Sequence, residues 1–220
     1  MPSTQTLPLF PLNTVLFPGM PLELHIFEPR YREMVNWCVE TQSPFGVVLI
    51  RRGSEALGPV AEPYEIGCTA RIVQLQRLPD GRMNITVVGE ERFRVRHLDY
   101  SLSYLQGQVE TYPLEVAGLT GLNSEVARLR SYLKRYMDKL AALANAELSI
   151  QRLPTEPRAL AYMASIVLQI PSDDKQSLLQ HAAASDLLAE ACDLYRRELA
   201  LIDTLALGAP PVDDNGFTLN

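Results

Sequence analysis

The chain has 220 residues, with 20 Lys+Arg against 26 Asp+Glu and a formal net charge of −6. That acidic balance argues against general nucleic-acid binding, which depends on neutralising phosphates. An apolar content of 47% fits one or two globular domains that need no disulfide or metal staples, and no apolar run of about 18 residues is present to cross a membrane. The opening MPSTQTLPLFPL carries no basic residue ahead of its apolar stretch, unlike a secretory signal.

Short apolar runs separated by Pro and Gly fill the first half. Leu7 to Phe10 reads as a strand, and Pro8 and Pro11 predict an edge position for it. Phe17-Pro18-Gly19-Met20-Pro21 is a turn, and Leu22 to Phe27 is a second strand. Glu28-Pro29-Arg30 opens a helix, because proline suits a first helical position where its missing N–H has no partner anyway. The stripe of that helix is Tyr31, Met34, Val35, Cys38 and Val39. Phe45 to Ile50 is a continuous apolar run, fit for a strand buried on both faces.

The clearest hairpin follows. Ile66, Cys68, Ala70 and Ile72 alternate with more polar neighbours, Pro79-Asp80-Gly81 supplies the turn, and Met83, Ile85 and Val87 alternate on the way back. Phe93 and Val95 then face one side, and Arg92, Arg94 and Arg96 the other. A last strand runs from Tyr104 to Tyr112. Six or so strands with one helix inserted early predict a small, partly closed barrel.

From about residue 122 the chain becomes rich in Leu and Ala. Val126, Leu129, Leu133, Tyr136, Leu140 and Leu143 step in threes and fours, a coiled-coil-like seam that Asn123 or Ser124 caps. Thr155 caps a second helix with Leu160, Met163, Val167 and Ile170 on one face, and Pro171 ends it. Asp173 and Gln176 match a capping box at the start of a third. A fourth begins at Ser185-Asp186 and buries Leu187, Leu188, Ala191, Leu194, Tyr195, Leu199, Ile202 and Leu205. Short loops between four helices predict a compact bundle. The division is therefore a β-rich domain over 1–118, a helical bundle over 119–207 and a flexible tail over 208–220.

Motifs for chemistry are nearly absent. The sequence contains no G-x-x-x-x-G-K-[ST], no G-x-S-x-G and no H-E-x-x-H. Two S-x-x-K matches, Ser131–Lys134 and Ser172–Lys175, lack the accompanying S-D-N and K-T-G, so a hydrolase is only a remote reading. His25, His97 and His181 are too scattered for a metal site, and no metal or other cofactor is expected. Cys38, Cys68 and Cys192 lie far apart with no C-x-x-C pair. They read as small buried hydrophobes in a reducing compartment, with the cytoplasm as the default location. Arg92, Arg94 and Arg96 form a row that a phosphate backbone would fit, although Glu90, Glu91 and Asp99 lie close enough in sequence to compensate it.

Four blocks carry a resemblance. LPLFPLNTVLFPGMPLELHIFEPRYREMV (Leu7–Val35), FGVVLI (Phe45–Ile50), YEIGCTARIVQLQRLPDGRMNITVVGEERFRV (Tyr64–Val95) and IPSDDKQSLLQ (Ile170–Gln180) occur in order. Together they resemble the Lon N-terminal domain, the substrate-binding region of Lon proteases, and are closest to its stand-alone bacterial members. The resemblance implies an α+β fold: a PUA-like β pseudo-barrel followed by a C-terminal four-helix bundle.

No enzymatic activity comes with it. In full Lon proteases this domain precedes an ATPase and a Ser–Lys protease module, and here the sequence stops where the ATPase would begin. What it implies is a non-catalytic protein- or peptide-binding module for exposed apolar segments, in protein quality control. Its partners would be unfolded or partner proteins, or a protease or ATPase acting in trans. The expected cleft lies between the barrel and the first bundle helix, with Phe17, Met20, Ile26, Phe27, Arg30 and Tyr31 as contacts. The alternative is RNA or nucleotide binding through the barrel and Arg92, Arg94 and Arg96.

Overall fold

The computed structural model describes residues 4–53, 62–116, 123–144 and 153–208. Its strands are β1 (Thr4–Leu12), β2 (Pro21–Ile26), β3 (Phe45–Arg52), β4 (Glu62–Pro63), β5 (Ile66–Arg77), β6 (Met83–Asp99) and β7 (Gln106–Thr111). Helix α1 (Pro29–Thr41) is inserted before β3. Among the described residues four helices follow the strands: α2 (Asn123–Ala144), α3 (Pro157–Val167), α4 (Ser172–Gln180) and α5 (Ala184–Gly208). The expected domain boundary at 118/119 lies outside the described residues, as does the expected tail beyond Gly208.

Five strands close a ring. The order is β1-β7-β6-β5-β3, and β3 pairs back onto β1 in parallel, while the other ring pairings are antiparallel. The α+β class and the ring-like pseudo-barrel are therefore as expected. β1 is not an edge strand, however. It pairs with β7 through Thr4–Pro8 and with β3 through Leu9–Leu12. Pro11 lies in the stretch that has changed partner, so its missing N–H need not break a ladder on both sides.

β5 and β6 join through Pro79-Asp80-Gly81, where Gly81 takes φ +82° and the Leu78 N–H bonds to the Arg82 carbonyl at 2.8 Å. The long β6 serves β2 with its first half and β7 with its second.

The described residues form three apolar cores. Leu7, Leu9, Val48, Phe93, Val95 and Val109 from the strands of the ring pack together with Leu105, just before β7. Phe93 fills the space over two glycines: a Cβ on Gly67 would sit 2.6 Å from its ring. On the other face, α1 packs Tyr31, Met34, Val35 and Cys38 against Phe10, Phe45 and Val47. Val39 of the predicted stripe turns outward. The third core joins Leu129, Leu133 and Tyr136 of α2 to α3 and α5, and also takes in Val15, Phe17, Leu49, Ile66 and Leu114 from the β half. Barrel and helices thus share buried contacts.

The helices depart from expectation at their ends. Leu143 is exposed, because the seam runs past its last packing partner near the end of α2. Glu156, not Thr155, caps α3, its carboxylate accepting from the Ala159 N–H at 2.6 Å. Pro171 does not close α3, which ends at Val167, but stands at the N-cap of α4. Gln176 is not in a capping box: it is buried and donates through Nε2 to the Ile66 carbonyl of β5 at 2.9 Å. The Leu205 side chain lies outside the described ones.

Candidate functional site

Helix α4 ties the two halves together along its whole length. Ser172 Oγ donates to the Asn13 carbonyl at 3.0 Å, and the Tyr64 hydroxyl to Asp173 at 3.2 Å. Gln176 reaches Ile66, as above. Beyond the helix, the Glu115 N–H bonds to the Ala182 carbonyl and the Ala184 N–H to the Glu115 carbonyl, each at 2.8 Å. This helix is the IPSDDKQSLLQ block, so the fourth block of the resemblance is an internal seam.

Arg92 closes that seam. It pairs with Cys68 across β5 and β6, on the strand face that the helices cover. Its Nη1 donates to the carbonyls of Leu179 and His181, each at 2.6 Å, at the C-terminal end of α4. A cation suits that end, where carbonyls lack intrahelical donors. Arg92 is 2% exposed, and desolvation pulls its guanidinium below the usual arginine range. Lys175 plays a similar part at α3, donating to the Ile166 carbonyl at 3.1 Å, and burial lowers its ammonium too.

The predicted arginine row is therefore broken. Arg92 points into the covered face and is closed to a phosphate backbone. Arg94 lies over the Tyr112 ring at 4.4 Å, and Arg96 is ion-paired with Glu110. Alternation alone put the three on one side, and the helices later covered one of them.

A cleft of about 570 Å³ opens beside Arg92. Pro18 and Gly19 border it at one end, and Tyr112 and Leu114 form one wall. Ala159, Tyr162, Met163 and Ile166 of α3 form the other. The barrel faces α3 here, not the first bundle helix as expected. The Phe17–Met20 turn is held against β6 by bonds from the Gly19 N–H to the Gly89 carbonyl (2.8 Å) and from the Gly89 N–H to the Met20 carbonyl (3.0 Å). A Cβ on Gly89 would collide with the Phe17 carbonyl, so the turn can seat there only on glycine.

The six predicted contact residues separate. Phe17, Ile26 and Tyr31 are buried core, at 0%, 1% and 4% exposure, and present no surface to a peptide. Phe27 is 55% exposed, beside His25. Met20 is half-buried, and Arg30 pairs with Glu28 at 2.9 Å while lying over Tyr31. Apolar sequence runs do not distinguish a groove from a core, which is why half of the set is internal. Arg92, Tyr112, Tyr162 and Met163 were missed as a group. The one signal available was an arginine inside an otherwise alternating strand.

Neither Ser–Lys pair forms a dyad. Ser172 and Lys175 bond to different carbonyls, and Lys134 is paired with Asp138 at 2.8 Å. Among the described residues no cluster of three His, Cys, Asp or Glu side chains could hold a metal, and no helix is long and apolar enough to cross a membrane.

Comparison with known proteins gives one consistent answer. Residues 6–197 match the family model of the ATP-dependent protease La (LON) substrate-binding domain. Lon protease 2 of Myxococcus xanthus is 29% identical over 206 residues, and Lon protease 1 of Hydrogenovibrio crunogenus is 25% identical over 197. These alignments take in 90% and 87% of this chain but only 24% of each relative, so the chain spans about a quarter of the length of the curated relatives it matches.

Two solved structures share the fold. The Lon N-terminal domain protein from Xanthomonas campestris has a TM-score of 0.60 at 24% identity, covering 94% of this chain and 99% of its own. The N-terminal domain of the Mycobacterium avium complex Lon protease has a TM-score of 0.65 at 18% identity, covering 87% and 98%. With 192 consecutive positions spanned by the family model (6 to 197), the chain belongs to the Lon substrate-binding domain family.

Proposed function

We propose that this chain is a non-catalytic protein-binding module that receives exposed segments of client or partner proteins in the cleft between β6 and α3. Family membership supports the class of ligand. The location rests on one observation: an open cleft with apolar walls, built on a ring that is hydrogen-bonded to α4 and on α3, which α4 holds in turn through Lys175 and the Ile166 carbonyl. A preorganised cleft of this kind spends little binding energy on ordering itself. Met163 and Ile166 are half-buried side chains of α3 that line it, and an incoming apolar residue would cover them.

The test is a peptide array of unfolded client sequences probed with the full chain. Met163→Gln sets an uncharged amide on the cleft wall, where an apolar ligand would desolvate it. Binding should fall about tenfold with the unfolding midpoint unchanged, since an amide desolvated without a partner costs roughly 1–3 kcal/mol. Undiminished binding by that variant would move the site elsewhere on the molecule. Failure of the unsubstituted chain to bind any segment would end this reading.

A further inference from the structure

Arg92 is a buried cation with three of its five N–H donors unused. Nη1 serves two carbonyls, but among the described residues Nε and Nη2 have no hydrogen-bond partner. A buried guanidinium in that condition is costly, because each unpaired donor has lost its water. The Tyr112 and Tyr162 rings lie 4.8 Å and 6.0 Å from its Cζ and lend it cation–π attraction. Neither ring supplies an oxygen to the Nε/Nη2 edge.

That edge has a specific chemical complement. Nε–H and the Nη2–H on the same side of the guanidinium form the parallel pair that a carboxylate takes with both of its oxygens. Arg92 also lines the cleft. We infer that the cleft contains a carboxylate subsite, in which an acidic group on the bound segment docks side-on against Nε and Nη2 of Arg92 while a neighbouring apolar residue covers Met163.

The described carboxylates leave the subsite free. Glu90, Glu91 and Glu156 border the cleft. Glu90 is paired with Arg71 at 2.5 Å, and Glu156 is engaged with the Ala159 N–H. Glu91 is exposed, and among the described residues none of the three reaches Arg92. Arg158 also borders the cleft, is exposed and adds a second positive charge.

The subsite is closed when empty, since both atoms are shut off from water. Of the two flanking rings, Tyr112 is tied down by its hydroxyl, which donates to the Gln180 carbonyl at 3.0 Å. Tyr162 has no hydrogen bond holding it among the described residues, so it is the ring that turns aside. The inference rests on the cleft being the peptide site, and it adds that the recognised segment carries a carboxylate.

Three probes separate the possibilities on the full chain. They are acetyl-Ala-Leu-Val-Leu as the free acid, the same peptide as its C-terminal amide, and the amide of acetyl-Ala-Leu-Glu-Leu. Affinities come from calorimetry, and the arginine Nε–H resonances are followed by NMR in the same titrations. The free acid should bind about tenfold or more tightly than the plain amide, as a charge-assisted hydrogen-bonded pair requires. The Arg92 Nε–H resonance should move downfield with the acid and not with the amide. Arg92→Lys keeps the charge but not the fork, and should erase the preference.

If the Glu-containing amide matches the free acid, the subsite takes side-chain carboxylates. If it matches the plain amide while the acid binds tightly, the subsite takes a chain terminus. Equal binding of the acid and both amides, with no movement of the Arg92 resonance, overturns the subsite and leaves the peptide-binding reading standing. No binding by any probe removes both. Should Arg92→Lys fail to fold, the resonance of the unsubstituted chain decides.

Discussion

Arg92 Nη1 and the Leu179 carbonyl meet at 2.6 Å, so a strand side chain closes the end of a helix that lies 87 residues further along the chain. The same nitrogen takes the His181 carbonyl. Replacing Arg92 with Met removes a buried cation but leaves both carbonyls without this donor. Hydrogen bonds to charged groups contribute roughly 1.5–3 kcal/mol each, and the relief of the buried charge offsets part of their loss. Arg92→Met should therefore lower stability by about 2 kcal/mol in urea unfolding. Arg94→Gln, which loses only a half-exposed stacking contact on Tyr112, should cost under about 1 kcal/mol. An Arg92→Met chain as stable as the parent would mean that desolvation dominates and that Arg92 holds nothing together.

The architecture was legible where a local signal exists. The Pro79-Asp80-Gly81 turn, the stripe of α1 apart from Val39 and most of the α2 seam follow from spacing and turn chemistry, and the structure shows them. The site was far less legible. Phe17 and Phe27 have the same side chain in neighbouring apolar runs, yet one is buried and the other 55% exposed. What separates them is tertiary: Phe17 enters the core shared with the helices, and Phe27 lies past the end of β2. Gln176 and Arg92 are polar residues whose partners, Ile66 and Leu179, are 110 and 87 residues away. No periodicity reports a bond between a side chain and a distant carbonyl, so alternation alone leaves Arg92 in an outward row and spacing alone leaves Gln176 in a capping box.

Gly19, which borders the cleft, and Gly89, which seats its turn on β6, should respond differently to substitution. Gly19 has φ +81° and nothing within 4 Å of where a Cβ would go, so its requirement is conformational. Gly19→Ala should cost about 1–2 kcal/mol, and Gly19→Asn less, since Asn tolerates the left-handed region. Gly89 is limited by space, because its Cβ would strike the Phe17 carbonyl, a backbone atom. Gly89→Ala should cost more than about 2 kcal/mol, and Gly89→Asn at least as much. Chemical denaturation of the four variants checks the pattern. A Gly89→Asn chain milder than Gly89→Ala would show that the turn moves freely off β6.

Three free thiols, Cys38, Cys68 and Cys192, are buried. Desolvation pushes Cys38 and Cys68 up to about 12 and raises Cys192 as well. A thiol must ionise to react, so none should react with a disulfide reagent at pH 8 in the folded chain, and all three should react in denaturant. The same shifts set a stability trend. These thiols stay protonated in the folded state, whereas in the unfolded chain they ionise near pH 8.5. Their contribution is therefore complete below about pH 8.5 and is lost as pH rises toward the folded values. Urea midpoints measured from pH 8 to 11 should fall, and Cys38→Ala should start lower but fall less steeply, having no thiol to ionise at that position. Equal slopes for the parent and Cys38→Ala would show that the Cys38 thiol is open to water in the folded state, contrary to its packing between α1 and the sheet.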